Sequence, residues 1–385
     1  MEVYLDNCAT TKPREEVIDE INFMLKKSYG NPSSLHRLGF NAEKKVEESR
    51  EIISGFLNVN NDEIYFTSGG TESNNIAIQG LVNKNKKRGN HIITTEIEHP
   101  SVLNIFKYYE SKGFDITYLK VDRFGFIDLN ELEKSIKDST ILISIMLVNN
   151  EIGTIEPVGE IRKILDKKAS NAYIHLDGIQ ALGKIPLELN KWSIDTFSFS
   201  GHKIHGPKGI GGLYIRKGTN ISPIIYGGNQ EREIRSGTEN TLGIVGMGKA
   251  VEIVKNNFNK ENKYVRELKN YMHEKIMTNI PEIKVNSLLD ESFSPYILNI
   301  SFLGVRGEVL LHYLENKGIY VSTGSACSSH GKGKSHVLKA IGLNNNEIEG
   351  AIRFSLSHLN TKNDINYVVE ELKKSVEDIR QITMR

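Results

Sequence analysis

The sequence predicts an α/β protein with a mostly parallel sheet covered on both faces, followed by a second, smaller α/β domain. Short apolar runs alternate with amphipathic helical patterns over the first half of the chain, at 63–67, 91–96, 114–121, 141–148 and 172–177. This alternation favours parallel strands joined by helical crossovers. The length of 385 residues allows two domains with buried cores.

The C-terminal third has a pattern of its own. A periodic stretch from 239 to about 280 predicts a long helical connection. The strand-like segments ILNISFL, IYVSTG and GAIRFSLS follow, with a helix from Arg306 between the first two. Thr361 and Asp364 form a capping pair that opens a final helix. We therefore expect a second α/β unit after the long helix.

Composition excludes several classes of function. Lys and Arg total 49 against 48 Asp and Glu, so the net charge of +1 requires no basic face for nucleic acid. The two cysteines, Cys8 and Cys327, are too few for a disulfide framework and fit a reducing compartment. The chain starts with acids where a signal peptide has bases, and the run at 141–148 is too short to span a membrane. We expect a cytoplasmic protein that binds neither nucleic acid nor membrane.

Small residues follow the strand at 63–67, in the order Ser68, Gly69, Gly70 and Thr71, and a helical pattern comes next. Backbone N–H groups and a helix N-terminus converge at such a turn, which suits a phosphate. An ordinary strand-to-helix turn with a threonine cap is an equal alternative.

Asp177 ends the apolar strand at 172–177, so its carboxylate is expected at the C-terminal edge of the sheet, where α/β enzymes bind ligands. It is a candidate partner for a cationic ring nitrogen, or alternatively a helix N-cap. The segment GIQALGK after it resembles a nucleotide-binding P-loop. However, Ile185 lacks the hydroxyl that magnesium needs, and Pro186 would interrupt the following helix.

The densest polar cluster lies at 198–209, where a strand ends in glycines and Lys203 lies between His202 and His205. A lysine on such a turn can reach into a cleft and form an imine, provided that burial keeps part of it neutral. A surface lysine is the alternative.

Cys327 follows the strand-like IYVSTG in a segment rich in Gly, Ser and Lys. An electropositive, accessible loop favours a thiolate, which a sulfur-handling nucleophile needs. Cys8 adjoins the apolar VYL and fits a small buried hydrophobe or a pocket edge. His99 is a stacking ring, a proton shuttle or a turn residue. A metal site with Glu98 lacks further ligands at the right spacing, so we expect no metal.

Nine motifs in order resemble the cysteine desulfurase family of the NifS/IscS type, within the class-V aminotransferases, and they cover nearly the whole chain: LDNCATT, GNPSSLH, FTSGGTESNN, EIEHPSV, VNNEIG, HLDGIQALGK, SFSGHKIHGPKG, IRSGTEN and GSACSS. The resemblance implies a fold type I pyridoxal phosphate transferase, similar to aspartate aminotransferase, with a mostly parallel seven-stranded sheet. We then expect a large cofactor-binding domain at 13–258. Residues 1–12 and 259–385 would form a small domain that carries the Cys327 loop.

The resemblance also implies roles for individual residues. Lys203 would bind pyridoxal 5'-phosphate as an imine and shuttle the substrate's Cα proton. Asp177 would keep the pyridine nitrogen protonated, Gln180 would hydrogen-bond the phenolic oxygen, and His99 would stack on the ring and aid catalysis. The phosphate would be held by Gly70, Thr71, Ser200 and His202, and by Thr238 of a second subunit. Asn150 and Arg353 would hold the substrate carboxylate, the arginine through a bidentate pair.

The implied activity is conversion of L-cysteine to L-alanine by a homodimer, with the sulfur passed to Cys327 as a persulfide. A sulfur-acceptor protein, either an iron–sulfur scaffold or a tRNA-thiolation enzyme, would then take it. Ser357-His358-Leu359 stands where housekeeping members have Gly-Arg-Phe, which leaves the acceptor open. The rival hypotheses are a selenocysteine lyase, another fold type I enzyme that does not need Cys327, and a non-enzymatic adaptor.

Overall fold

The computed structural model describes residues 1–168, 170–323 and 334–383, so Cys327 lies outside the described residues. The strands are β1 (Val3–Tyr4), β2 (Ile64–Thr67), β3 (His91–Thr95), β4 (Asp115–Leu119), β5 (Thr140–Met146), β6 (Tyr173–Asp177), β7 (Thr196–Ser200), β8 (Gly211–Ile215), β9 (Ile283–Val285), β10 (Ile297–Phe302), β11 (Ile319–Tyr320), β12 (Ser322–Thr323) and β13 (Ala351–Ser355). The α-helices are α1 (Glu15–Lys27), α2 (Arg37–Leu57), α3 (Gly70–Asn85), α4 (Pro100–Ser111), α5 (Leu129–Ser135), α6 (Val158–Lys167), α7 (Thr241–Asn279), α8 (Gly307–Glu315), α9 (His336–Ala340), α10 (Asn345–Glu349) and α11 (Lys362–Thr383). In these ranges no helix combines the length and the apolar character needed to cross a membrane.

Seven strands form the large sheet, in the order β2-β8-β7-β6-β5-β3-β4. The five strands from β7 to β4 pair in parallel, whereas β8 is antiparallel to both of its neighbours. The predicted mostly parallel sheet is confirmed. The sequence pattern did not predict β8, because Gly211 and Gly212 give no strand signal. Gly212 has no space for a side chain, since a Cβ there would lie 2.2 Å from the Phe199 ring.

Helices cover both faces of this sheet, as the strand patterns predict. Ile93 on β3 and Ile143 on β5 belong to one apolar cluster together with residues of α2 and α7. Their neighbours Ile92 and Leu142 belong to another cluster, with residues of α3 and α4. Successive residues of a strand point to opposite faces, so strands buried on both sides read as continuous apolar runs.

A second sheet contains four antiparallel strands in the order β12-β13-β10-β9. The N-terminal β1 pairs in parallel with β11, and Val3 and Leu5 share an apolar cluster with residues of β10, β13 and α11. The long helix α7 contacts both units. Its buried residues up to Val254 pack with the large sheet, and those from Val265 onward pack with the second. The predicted division at 258/259 lies between them, inside one continuous helix, and stays a prediction.

Candidate active site

A cleft of about 290 Å³, open to solvent, lies where β6 and β7 end and where α3 and α4 begin. Most of the predicted site residues line it: Gly70, Thr71, His99, Asn150, Asp177, Gln180, Ser200, His202, Lys203 and Arg353. Thr238 is exposed and does not line the cleft. The structure thus brings ten of the predicted residues together around one cleft.

Lys203 lies in a 3-10 turn directly after β7. Its ammonium donates hydrogen bonds to the carbonyl oxygens of Cys8, at 2.5 Å, and Ala9, at 2.8 Å. This N-terminal segment is itself fixed to the turn, because the hydroxyl of Thr11 donates to the carbonyl oxygen of His202 at 2.9 Å. The chain's N-terminus therefore positions the amine in the cleft, and Lys203 is not a solvated surface lysine.

The glycine turn before α3 leaves its helix N-terminus open toward the cleft. Gly69 has φ of +156°, which favours glycine, and a Cβ on Gly70 would lie 2.2 Å from Ile179 Cδ1. The helix N-cap is Gly69, without any side-chain cap, so the alternative of a threonine cap is wrong. The first N–H groups of a 16-residue helix beside Thr71 therefore suit an anion.

His202 lies on the Lys203 turn and also lines this cleft. Its Nδ1 lies 3.2 Å from the hydroxyl of Thr10. Burial, reinforced by the nearby Lys203 and Lys208, lowers the pKa of the imidazole to about 4. The ring is therefore neutral at pH 7 and offers a hydrogen bond rather than a charge to a bound anion.

The buried Asp177 carboxylate accepts one hydrogen bond on each oxygen. The backbone N–H of Ile179 donates to Oδ1 at 3.0 Å, and the Asn74 amide donates to Oδ2 at 2.9 Å. Residues 179–184 form consecutive turns and not a helix, so Asp177 does not cap a helix. Two fixed donors hold the carboxylate at the cleft while its remaining lone pairs stay available to a cationic partner.

Gln180 is fixed at both ends of its amide. Its Nε2 donates to the carbonyl oxygen of Cys8 at 3.0 Å, and its Oε1 accepts from Lys184 Nζ at 2.7 Å. Lys184 is the residue that would contact phosphate in a P-loop, but here its ammonium is buried against Gln180. The geometry therefore gives no support to the nucleotide-binding interpretation of GIQALGK.

His99 is the N-cap of α4 and lines the cleft through its ring. Its Nδ1 lies 2.8 Å from the Ser101 hydroxyl and accepts the Ser101 backbone N–H at 3.1 Å. Burial lowers the pKa of the imidazole below its usual value; Lys203 and His336 add to this effect and Asp177 opposes it. The ring is neutral at pH 7 and has a fixed orientation.

Arg353 lies on β13 of the second sheet and reaches the cleft from the opposite side. Its Nη1 donates to the carbonyl oxygen of Asn150 at 2.9 Å, and its Nη2 donates to Asp6 Oδ1 at 2.8 Å. Its Nε is buried and has no hydrogen-bond partner within the described ranges. A buried guanidinium with spare donors at a cleft suits a carboxylate ligand.

A model of the family described as aminotransferase class-V matches residues 3–368. The chain belongs to the class-V aminotransferase family. Cysteine desulfurase IscS of Clostridium botulinum (strain Hall) is 45% identical over 383 residues, covering 99% of this chain and 96% of that protein. The IscS of Dictyoglomus turgidum is 46% identical over 382 residues, with the same coverage.

Two solved structures agree with this assignment. A NifS-like protein superposes with a TM-score of 0.93 at 40% identity, covering 98% of this chain and 100% of that one. SspA in complex with cysteine has a TM-score of 0.82 at 34% identity, covering 93% and 100%. The predicted fold type I architecture and the resemblance to NifS/IscS proteins are confirmed.

Class-V aminotransferases use pyridoxal phosphate, and the cleft fits this group. The uncapped N-terminus of α3 suits the phosphate, the Asp177 carboxylate suits a protonated ring nitrogen, and the Lys203 amine suits the carbonyl carbon. Among the described residues, no three His, Cys, Asp or Glu side chains lie close enough together to hold a metal ion. Glu98, considered above as a metal ligand, instead accepts from the Thr95 hydroxyl and the Met146 N–H, each at 2.8 Å.

Sequence reasoning missed four contributors to this class-V site. They are the backbone carbonyl of Cys8, the carboxylate of Asp6, the amide of Asn74 and the hydroxyl of Ser101. Only Asn74 had a local signal, since asparagine is a poor helix former and this one lies fully buried within α3. Ser101 lies only two positions from His99, whereas Cys8 and Asp6 act through chain pairings that are distant in sequence.

Proposed function

We propose that this protein is a pyridoxal phosphate-dependent cysteine desulfurase that converts L-cysteine to L-alanine and passes the sulfur to Cys327. The observation that carries the proposal is the cleft itself. It combines a lysine amine, a fixed carboxylate, a neutral imidazole and a buried arginine, in a chain 45% identical to an IscS cysteine desulfurase over nearly its whole length.

Each side of the cleft holds a different part of the cofactor in this proposal. Lys203 would bind its carbonyl carbon, Asp177 its ring nitrogen and Gln180 its phenolic oxygen, while His99 would stack on the ring. The phosphate would be held by Gly70, Thr71, Ser200 and His202. When bound, pyridoxal phosphate supplies an electron sink that stabilises negative charge at the substrate Cα.

Arg353 binds the substrate carboxylate together with Asn150. Before substrate arrives, the guanidinium is oriented by Asp6 and by the Asn150 carbonyl, so its fork is already in place. Pre-orientation lowers the entropy cost of binding and places the substrate Cα near Lys203.

The chemistry of the chain's own residues has two parts. The Lys203 amine would take the substrate's Cα proton and return a proton to carbon. The Cys327 thiolate attacks the substrate sulfur, so that an S–S bond forms and the Cβ–S bond breaks. Cysteine and the thiol thus become alanine and a persulfide, with no external oxidant or reductant.

We also propose a cytoplasmic homodimer in which Thr238 completes the phosphate site of the partner. Thr238 is exposed, and it follows three consecutive residues with positive φ, Glu231, Arg232 and Glu233. A buried bidentate pair between Arg50 and Glu231, at 2.9 and 3.0 Å, holds this strained segment. A sulfur acceptor, either an iron–sulfur scaffold or a tRNA-thiolation enzyme, then receives the persulfide sulfur.

The test is to supply the purified protein with pyridoxal phosphate, L-cysteine and a thiol reductant. We expect alanine and sulfide in a one-to-one ratio, with no amino-group transfer to a keto acid. Selenocysteine is the comparison substrate. A protein that released alanine only from selenocysteine would be a lyase of that type, and a protein that bound no cofactor would be an adaptor.

Substituting Arg353→Lys is expected to raise KM for cysteine about tenfold to a hundredfold, the equivalent of about 1.5–3 kcal/mol for a charged hydrogen bond. Lysine keeps the positive charge beside Asp6 but lacks the planar fork. Steady-state alanine release measures the effect. Arg266→Lys is the matched control, because Arg266 pairs with Glu291 on the surface. Equal KM values for Arg353→Lys and the unmodified enzyme would show that the carboxylate binds elsewhere.

A further inference from the structure

Asn74 occupies the centre of a buried hydrogen-bond network behind the cleft. Its Nδ2 donates to Asp177 Oδ2 at 2.9 Å and to the Ser101 hydroxyl at 3.0 Å. Its Oδ1 lies 3.2 Å from His175 Nε2. One fully buried amide thus connects the carboxylate assigned to the ring nitrogen with the serine that contacts His99.

The chemistry of the neighbours fixes the orientation of this amide. A carboxylate only accepts hydrogen bonds, so the nitrogen of Asn74 must face Asp177. Its oxygen then faces His175, which must carry its proton on Nε2. His175 Nδ1 lies 2.9 Å from the Thr196 hydroxyl, which donates to it. Burial lowers the pKa of His175 to about 3, in agreement with a neutral ring.

The hydrogen-bond network of Asn74 extends through Ser101 to His99. Both hydrogens of the Asn74 amide are used, one of them on the Ser101 oxygen. The Ser101 hydroxyl can then send its own hydrogen to His99 Nδ1, 2.8 Å away, where the Ser101 backbone N–H also donates at 3.1 Å. The backbone N–H can only donate, so Nδ1 is the acceptor and carries no proton, and the Ser101 hydroxyl can donate to the same atom.

We propose that Asn74 is a positioning residue that holds Asp177 directly and, through Ser101, keeps His99 as the neutral tautomer with its proton on Nε2. His99 therefore presents an N–H donor, not a basic nitrogen, toward the cleft. A neutral imidazole in this state stabilises developing negative charge but takes no proton at Nε2. The consequence for catalysis, which rests on the proposed function, is that Lys203 is the base for the Cα proton.

The test is nitrogen NMR of holoenzyme labelled with 15N-histidine, with the His99 signals assigned by comparison with His99→Gln. We expect the pattern of a neutral ring protonated on Nε2 at pH 7–8. In Asn74→Ala the Asp177 carboxylate loses a hydrogen-bond donor and the Ser101 hydroxyl loses the partner that orients it. Asp177 then favours a charged His99 more strongly, so the titration midpoint of His99 rises by about half a pH unit or more. Asn75→Ala removes the adjacent amide, whose nitrogen donates to the Thr71 carbonyl instead, and leaves the midpoint unchanged.

Cofactor affinity gives a second readout. Asn74→Ala removes a donor from Asp177 and is expected to raise the dissociation constant of pyridoxal phosphate about tenfold. Ser101→Ala keeps the Asn74–Asp177 bond, so it has a smaller effect on this constant while still increasing the Nδ1-protonated fraction of His99. If Asn74→Ala does not fold, the tautomer and titration of His99 are compared between the unmodified enzyme and Ser101→Ala.

A proton on Nδ1 of His99 in the unmodified enzyme would overturn the proposal. The same holds if the His99 titration is identical in the unmodified enzyme, Asn74→Ala and Ser101→Ala. The NMR measurement needs no turnover. A protein without desulfurase activity can therefore still give the expected tautomer, and the two proposals fail independently.

Discussion

Lys203→Ala is expected to lower alanine release from cysteine at least about 1,000-fold and to abolish the yellow absorbance of the lysine-bound cofactor. The amine both anchors the cofactor and moves the Cα proton, so its loss removes two functions at once. The neighbouring carbonyls of Cys8 and Ala9 remain in place, and the turn itself is held by backbone contacts from Thr11. Alanine release and the visible spectrum, recorded on the same preparation, measure the two effects separately.

Lys208→Ala is the matched control for this experiment. Lys208 lies five positions further along the same glycine-rich segment and is exposed. Its removal changes the local charge without touching the Cys8 carbonyl. An unchanged spectrum and normal turnover in Lys203→Ala would contradict the assignment of Lys203 and would favour a protein that uses the fold only as a scaffold.

Cys327→Ser is expected to keep the cofactor spectrum but reduce alanine and sulfide production at least about 100-fold. A serine hydroxyl is hardly ionised at neutral pH and is a poor acceptor for sulfur. The site residues that bind the cofactor all lie elsewhere in the chain, so binding is retained. The measurement is alanine release together with a cofactor titration.

Cys8→Ala separates the two cysteines of the chain. Cys8 is buried and contributes its backbone carbonyl to Lys203, which alanine also provides. We expect Cys8→Ala to form alanine and sulfide. Normal turnover in Cys327→Ser would contradict the desulfurase mechanism. The protein would then be a selenocysteine lyase or would catalyse another class-V reaction.

The large sheet was predictable because its inner parallel strands are buried on both faces. The run at 141–148 has Ser144 as its one polar residue, and β5 is buried along its whole length. The glycine-rich β8 could not be predicted, because Gly211 and Gly212 give no strand signal and the close fit of Gly212 against the Phe199 ring is visible only in three dimensions.

The candidate site likewise contains residues that were predictable from the sequence and residues that were not. Asp177 and Lys203 were predictable because each lies at the end of a strand in a short, distinctive motif. The Asp6–Arg353 bond joins residues 347 positions apart and has no local signal. Gly178 is also explained only in three dimensions, since a Cβ there would lie 1.9 Å from the Phe197 ring.

The central claim is that sulfur leaves cysteine and becomes bound to Cys327. Its most direct test is mass spectrometry of the holoenzyme after a brief exposure to L-cysteine without a thiol reductant, followed by digestion. We predict one added sulfur on the peptide that contains Cys327 and none on the peptide that contains Cys8. Release of alanine with both peptides unmodified would contradict the account.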